Sequence, residues 1–81
     1  MVRIAAHQDT DGRLIRLGVA IRNKRKAAGL SQEALADAAG IDRSHMGKIE
    51  RGERNLTLLN LCRIASATGL RPSELLKDAD L

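Results

Sequence analysis

Apolar residues recur at the three- and four-residue spacing of an α-helix through most of this chain, and glycines interrupt the pattern. The first helix is predicted over about residues 13–28, with Leu14, Leu17, Ile21 and Ala28 on its apolar face. Glycine takes the left-handed conformation that ends a helix at little steric cost. The expected helix ends are therefore at Gly29, Gly40, Gly52 and Gly69. No alternation typical of a strand appears, so the fold class predicted is all-α.

The later helices begin where the sequence offers capping residues. Ser31, Asp42 and Thr57 can each accept hydrogen bonds from the first free amides of a helix, and Pro72 suits the first turn of a fifth. The third helix is expected to run to about Arg51 with Met46 and Ile49 facing inward. The other expected core positions are Leu35, Ala36 and Ala39 in the second helix, Leu58, Leu61, Cys62, Ile64 and Ala65 in the fourth, and Leu75 and Leu76 in the fifth. The prediction is a compact five-helix domain over residues 13–81, preceded by a tail or arm over residues 1–12.

Composition narrows the classes of function. At 81 residues the chain supports one domain, which buries a modest core and often gains stability by dimerising. It has no Phe, Tyr or Trp, and this argues against readers of single strands or RNA, which stack bases on aromatic rings. The lone Cys62 can form neither an internal disulfide nor a four-ligand zinc site, which fits the cytoplasm. We expect no membrane span, no signal peptide and no cofactor.

The charge favours a polyanionic partner. The net charge is +4, and the basic residues between positions 13 and 32 have no acidic residue among them. These residues are Arg13, Arg16, Arg22, Lys24, Arg25 and Lys26. We therefore expect a strong positive field at one end of the molecule, with double-stranded DNA as the partner.

Residues 30–52 are the most informative stretch. They read as two short helices joined by a turn at Gly40, and the second helix begins with polar side chains and ends on basic ones. This is the layout of a helix-turn-helix, which places its second helix in the DNA major groove.

From about Leu17 to Leu76 the chain resembles the Cro/lambda-repressor-like helix-turn-helix family. The residues that carry the resemblance are Ile21-Arg22 through Arg25-Lys26, Gly29 to Ala36, Ala39-Gly40-Ile41, Ile49 to Gly52, Ile64-Ala65 and Gly69-Leu70. Within the family, residues 42–45 and 50–57 look like those of the controller proteins of restriction–modification systems. The resemblance implies a lambda-repressor-like fold and a transcription regulator.

The start of the third helix carries the candidate base-reading residues. Arg43 can donate two hydrogen bonds to guanine, or it can form a salt bridge with Asp42 or another surface acid. Ser44 and His45 can each contact a base or a phosphate, and Lys48 is either a DNA contact or a solvated charge. No second His or Cys stands at ligand spacing from His45, so no metal site is predicted.

The resemblance also assigns phosphate contacts and a structural pair. Gln32, at the first turn of the second helix, is expected to bind a phosphate beside the helix amides. The loop after the third helix resembles the family's second phosphate clamp, formed by Arg54 and Asn55, with Arg51 either contacting a phosphate or holding the loop. Arg22 and Lys26 are further phosphate candidates or a solvated face. Arg25 and Glu50 are expected to form a salt bridge between the first helix and the end of the third.

The C-terminal half offers an apolar patch. Leu59 falls between core positions, where the family usually has a polar residue, and Leu70, Leu75, Leu76 and Leu81 extend the patch. Some of these leucines can complete the monomer core. The alternative is a two-fold dimer interface through the fourth and fifth helices, to which Leu59, Leu70, Leu75 and Leu76 are assigned.

The sequence therefore predicts a cytoplasmic DNA-binding regulator that acts as a homodimer on a pseudo-palindromic operator. No effector or small-molecule ligand is implied. The alternative is a protein-interaction module, such as an antitoxin, whose apolar patch binds another protein. An enzyme is not expected, because no nucleophile–base pair, paired carboxylates or phosphate-cradling glycine loop appears.

Overall fold

The computed structural model describes residues 3–81, which form one 3-10 turn and five α-helices. The 3-10 turn spans Ala6–Gln8, and the helices are α1 (Arg13–Ala27), α2 (Gln32–Ala39), α3 (Arg43–Glu50), α4 (Leu58–Ala67) and α5 (Pro72–Asp78). The described residues contain no strand, and the all-α five-helix prediction is confirmed. None of the helices within this range is both long and apolar enough to cross a membrane.

The predicted caps begin three of the helices. The Ser31 hydroxyl accepts a hydrogen bond from the Ala34 amide at 3.0 Å, and the Thr57 hydroxyl accepts one from the Asn60 amide at 3.2 Å. The Asp42 carboxylate accepts from the first amides of α3. Each bond satisfies a backbone donor that the helix itself leaves free. These caps set the register at which α2, α3 and α4 start.

The start of α1 depends on a residue outside it. Gly12 is the N-cap residue, with a φ of 68°, and its lack of a side chain leaves the first amides without a local cap. Asp9 supplies one from four residues before the helix, because its Oδ2 accepts from the Leu14 amide at 2.7 Å. The part of the 1–12 segment that the structure describes is therefore packed onto the domain; Met1 and Val2 lie outside the described residues.

All five α-helices contribute to one core. Each provides one large side chain with almost no solvent exposure, and these are Ile21, Leu35, Met46, Ile64 and Leu75. The assignment of Leu75 to a dimer surface was wrong, because this side chain is 0% exposed within a single chain. Ala28, predicted on the apolar face of the first helix, lies exposed just beyond the end of α1.

Helices α1 and α3 cross in close contact. A Cβ atom at Gly18 would lie 2.4 Å from the carbonyl oxygen of Glu50 and 2.7 Å from that of Ile49. Glycine thus lets the end of α3 lie directly on the α1 backbone. This contact fixes one side of α3 against the body of the domain and leaves the other side exposed.

Candidate DNA interface

The exposed side of α3 carries the predicted base-reading residues. Met46 and Ile49 are buried, whereas Arg43 and Ser44 are exposed and His45 and Lys48 are half-buried. Because residues four apart share a helix face, the side chains of Ser44 and Lys48 follow one another along it. The structure therefore brings these predicted residues together on one surface.

Two shallow clefts flank this surface. One, the α2-side cleft, lies between α2 and α3 and is lined by Gln32, Arg43, Ser44, Gly47, Lys48 and Arg51. The other, the loop-side cleft, lies towards the loop after α3, and its polar lining is formed by Asp42, Ser44, His45, Lys48, Arg54 and Asn60. Each cleft combines cationic side chains with neutral hydrogen-bonding groups, the combination that phosphate and base edges require. The one acid of the loop-side cleft, Asp42, accepts hydrogen bonds from Ser44 and His45 at the start of α3.

Gly47 opens the α2-side cleft. A Cβ atom at this position would lie 3.2 Å from Arg51 Nη1 and 3.5 Å from Gln32 Oε1. The ends of these two side chains therefore occupy the space beside α3 that a larger residue at position 47 would fill. Gly47 was not among the site residues predicted from the sequence. Its signal was present, since a glycine within a short helix lowers helix stability and needs a packing or functional reason.

Arg25 and Glu50 form the structural pair that the resemblance implied. Arg25 Nε lies 2.7 Å from Glu50 Oε2 and Nη2 lies 3.1 Å from Oε1, and the two side chains are 10% and 2% exposed. Arg25 also donates to the Leu30 carbonyl at 3.0 Å, so the pair connects α1, the α1–α2 loop and α3. Because both side chains are used in internal contacts, the structure favours a structural role for each of them.

Gln32 is held by the same carboxylate. Its Nε2 donates to Glu50 Oε1 at 3.1 Å, which orients the half-buried side chain at the wall of the α2-side cleft. An amide nitrogen has two hydrogens, so the second remains for another acceptor. Its role as a phosphate contact stays a prediction.

Arg51 forms an ion pair with Glu53, a partner that was not predicted from the sequence. Arg51 Nε lies 3.0 Å from Glu53 Oε2 and Nη2 lies 3.3 Å from Oε1. The hydrogen bonds from Arg51 lower the pKa of Glu53 from its ordinary value, with smaller contributions from the charges of Arg51, Lys48 and Arg54. This pair is consistent with Arg51 holding the loop, and its phosphate contact stays a prediction, since Arg51 also lines the α2-side cleft.

The start of α3 is organised by Asp42. Its Oδ2 accepts from the Ser44 hydroxyl at 2.5 Å and from the amides of Ser44 and His45. The Ser44 hydroxyl bond, followed by the His45 amide, lowers the pKa of Asp42. The ion pairs found among residues 3–81 do not include Arg43, so the predicted alternative of an Asp42–Arg43 pair is not observed.

The remaining phosphate candidates differ in position. Arg54 is exposed and lines the loop-side cleft. Asn55 is exposed, and its Nδ2 donates to the carbonyl of Ile4 at 2.9 Å. Arg22 and Lys26 are exposed on α1 and line neither cleft.

The basic run on α1 is partly neutralised. Arg25 is paired with Glu50, Lys24 Nζ lies 3.1 Å from Asp78 Oδ2, and Arg13 Nη1 lies 2.8 Å from Asp11 Oδ2. The acids come from distant or preceding segments, which is why inspection of residues 13–32 alone overstates the local positive field.

The predicted dimer leucines divide into three classes. Leu59 on α4 is 73% exposed, whereas Leu70 and Leu76 are half-buried against the core and Leu75 is fully buried. Leu58, which was expected in the core, is 69% exposed beside Leu59. The exposed apolar surface of α4 is thus formed by its first two residues.

No group of three or more His, Cys, Asp and Glu side chains in residues 3–81 is arranged to hold a metal ion.

Comparison with known proteins gives a consistent answer. The helix-turn-helix family model matches residues 21–75, which include α2 and α3. The control protein C.MunI of a Mycoplasma species is 39% identical over 67 residues, covering 82% of this chain and 90% of that protein. C.SmaI of Serratia marcescens is 41% identical over 56 residues, covering 69% of this chain and 67% of that protein.

A solved structure shows the same similarity in three dimensions. The restriction-modification controller protein C.AhdI from Aeromonas hydrophila superposes with a TM-score of 0.75 at 47% identity, covering 76% of this chain and 94% of that one. The sequence match spans the two helices around the clefts, and the structural match extends over the fold that positions them. This chain therefore belongs to the Cro/lambda-repressor-like helix-turn-helix family of DNA-binding transcription regulators.

Proposed function

We propose that this chain is a homodimeric regulator that inserts α3 into the major groove of a pseudo-palindromic operator. The observation that carries the proposal is the exposed face of α3, where Arg43, Ser44 and Lys48 stand between two polar clefts. The opposite face of α3 is packed on α1 through Gly18, so the helix can present only this side to DNA.

In this proposal the surface divides into base contacts and phosphate contacts. Arg43 is exposed and outside the observed ion pairs, so its guanidinium is available to guanine O6 and N7. Gln32 on one side of α3 and Arg54 with Asn55 on the other contact the phosphates that flank the groove. Phosphate contacts position the domain and carry no sequence information, whereas base contacts select the site.

The dimer is proposed to form through α4. Leu58 and Leu59 are 69% and 73% exposed, and burying two adjacent apolar side chains against a second copy would remove their surface from water, which is favourable. Two α3 helices placed by a two-fold axis would enter successive major grooves about 34 Å apart. Control would come through protein concentration, in the cytoplasm where a bacterial or phage operator lies.

Footprinting on the DNA upstream of the chain's own gene, together with sedimentation of the free protein, tests the proposal. We expect two protected half-sites about one helical turn apart and a homodimer in solution. A protein that stays monomeric both with and without DNA would contradict the proposal. So would a protein that binds only the product of a neighbouring gene and protects no DNA. The second result would favour a protein-interaction module.

A further inference from the structure

A third cleft lies beside the two that flank α3, and its second wall is the N-terminal segment. Arg3, Ile4, Ala5 and Ala6 form that wall, and the facing side is formed by His45 of α3 and by Glu53, Arg54, Asn55, Thr57 and Asn60. We call this the N-terminal cleft. It shares His45, Arg54 and Asn60 with the loop-side cleft, so it continues the proposed DNA-facing surface.

The segment is held in place by hydrogen bonds. The Asn55 side chain donates to the Ile4 carbonyl at 2.9 Å, 51 residues away along the chain. The Ala5 amide donates to Gln8 Oε1 at 2.6 Å, and the Gln8 amide donates to the Ala5 carbonyl at 3.0 Å. Asp9 then joins the segment to the start of α1 through the Leu14 amide. Arg3 therefore extends from an anchored backbone.

The chemistry of the N-terminal cleft suits a phosphate. Arg3 and Arg54 provide permanent positive charge, and His45 provides a further nitrogen donor. The Thr57 hydroxyl accepts from the Asn60 amide, which leaves its proton for another acceptor. The single acid of the cleft, Glu53, is already bound by two hydrogen bonds from Arg51. Cationic and neutral donors thus outnumber free acceptors, as an anion requires.

We propose that the N-terminal segment is part of the DNA interface, with Arg3 contacting a DNA backbone phosphate in the N-terminal cleft and Asn55 positioning the segment for this contact. The inference rests on the proposed function, because it needs α3 to face the duplex. It concerns residues outside those that the helix-turn-helix family model matches, which begin at position 21.

The test is the salt dependence of binding to a short labelled duplex of arbitrary sequence, measured by fluorescence anisotropy with the full chain. A phosphate contact is independent of sequence, so no operator is needed. Arg3→Gln should reduce the slope of log K against log salt by about one unit. The matched control is Arg13→Gln, which removes the same charge from a residue that pairs with Asp11 and does not line the cleft. Its slope should equal that of the wild type.

A double-mutant cycle tests the positioning role of Asn55. Asn55→Ala removes the hydrogen bond to Ile4, so the Arg3→Gln and Asn55→Ala variants should lose less binding together than the sum of their separate losses. Strict additivity would overturn the positioning role. Circular dichroism of each variant should show unchanged helix content, because the substitutions lie outside the core.

The outcomes separate this inference from the proposed function. If Arg54→Ala flattens the salt dependence but Arg3→Gln does not, the N-terminal contact is refuted and the major-groove proposal stands. If Arg3→Gln tightens binding, the segment obstructs the surface and the inference is also refuted. If the wild-type chain does not bind the duplex at all, both proposals fail.

Discussion

Arg25 and Glu50 face each other across the α1–α3 crossing in a two-point ion pair, with Nε 2.7 Å from Oε2 and Nη2 3.1 Å from Oε1. Because the pair lies at the end of α3, it connects the stability of the domain to the position of the proposed reading face. Its carboxylate also orients Gln32 at the wall of the α2-side cleft. A change at this pair therefore affects both folding and DNA binding.

Removing one partner of this pair should be strongly destabilising. Arg25→Ala leaves the Glu50 carboxylate buried without its counter-ion, and we expect the free energy of unfolding to fall by roughly 3–5 kcal/mol. Urea denaturation followed by circular dichroism measures the change. Arg51→Ala is the control, since it removes an arginine from an exposed ion pair and should have little effect on stability. Equal losses for the two variants would contradict a structural role for Arg25.

Two glycines should respond in opposite ways to alanine. At Gly18 a Cβ atom would meet the α3 backbone at 2.4 Å, so Gly18→Ala should force α1 and α3 apart and lower the free energy of unfolding by roughly 1–3 kcal/mol. At Gly47 the neighbours are the ends of flexible side chains, so Gly47→Ala should gain up to about 1 kcal/mol from its better helix propensity.

Binding then distinguishes the two glycines further. Gly47→Ala fills part of the α2-side cleft and should weaken DNA binding even though the fold is at least as stable as before. A stable Gly47→Ala variant with wild-type affinity for the operator would show that DNA does not approach this cleft.

Specificity should depend on Arg43 and general affinity on the flanking residues. Arg43→Ala should lose roughly 1–3 kcal/mol of discrimination between the operator and unrelated DNA, which is about 5- to 150-fold. Gln32→Ala and Arg54→Ala should weaken binding to all sequences alike, and Arg54→Ala, which removes a positive charge, should also flatten the salt dependence by about one unit. Competition binding with operator and random duplexes measures both effects. The assignment of roles fails if Arg43→Ala leaves discrimination unchanged.

The cap of α3 should weaken in acid. The pKa of Asp42 is lowered from its ordinary value of 3.8 by the Ser44 hydroxyl and the His45 amide. A carboxyl whose pKa is lower in the folded state contributes stability that is present above the unfolded pKa and is lost as the pH falls through the folded pKa. We therefore expect the contribution of Asp42 to disappear as the pH falls below 3.8.

Asp42→Asn isolates this effect, because asparagine caps a helix about as well as aspartate and does not titrate. Urea denaturation over a series of acidic pH values should show a steeper loss of stability for the wild type than for this variant. Parallel curves for the two proteins would contradict the assignment.

A charge on the exposed face of α4 should dissociate the proposed dimer. Leu59 is 73% exposed in a single chain, so Leu59→Lys should leave the core intact and shift the protein towards monomers in sedimentation experiments. Val19→Lys on α1 is the matched control, because Val19 is also an exposed apolar residue, at 51%. Dissociation by Val19→Lys with an unchanged Leu59→Lys dimer would place the interface on α1 instead.

The helix boundaries were predictable because they depend on local chemistry. Each predicted capping side chain bonds an amide only two or three residues further along the chain, as seen for Ser31, Asp42 and Thr57. Gly29, Gly40, Gly52 and Gly69 all have a φ near 70°, the left-handed conformation that ends a helix. Neither the helix starts at the capping residues nor the helix ends at the glycines depend on the rest of the fold.

The partners of the polar side chains were harder to predict, because several are chosen by the tertiary fold. Leu75 and Leu59 look equally apolar in sequence, yet one is 0% and the other 73% exposed. Asn55 meets the carbonyl of Ile4, and Lys24 meets Asp78, only after the helices have packed. The Arg51–Glu53 pair is local but competes with the phosphate role that the resemblance suggested.

The brevity of α3 has a consequence for the regulator as a whole. At eight residues it is shorter than the roughly 12–15 residues that an isolated helix needs even to be marginally stable in water. A synthetic peptide of α3 would therefore sample many conformations and bind DNA without selecting a site. Recognition is a cooperative property of the folded domain, and an operator that binds only the folded state should in turn raise its melting temperature.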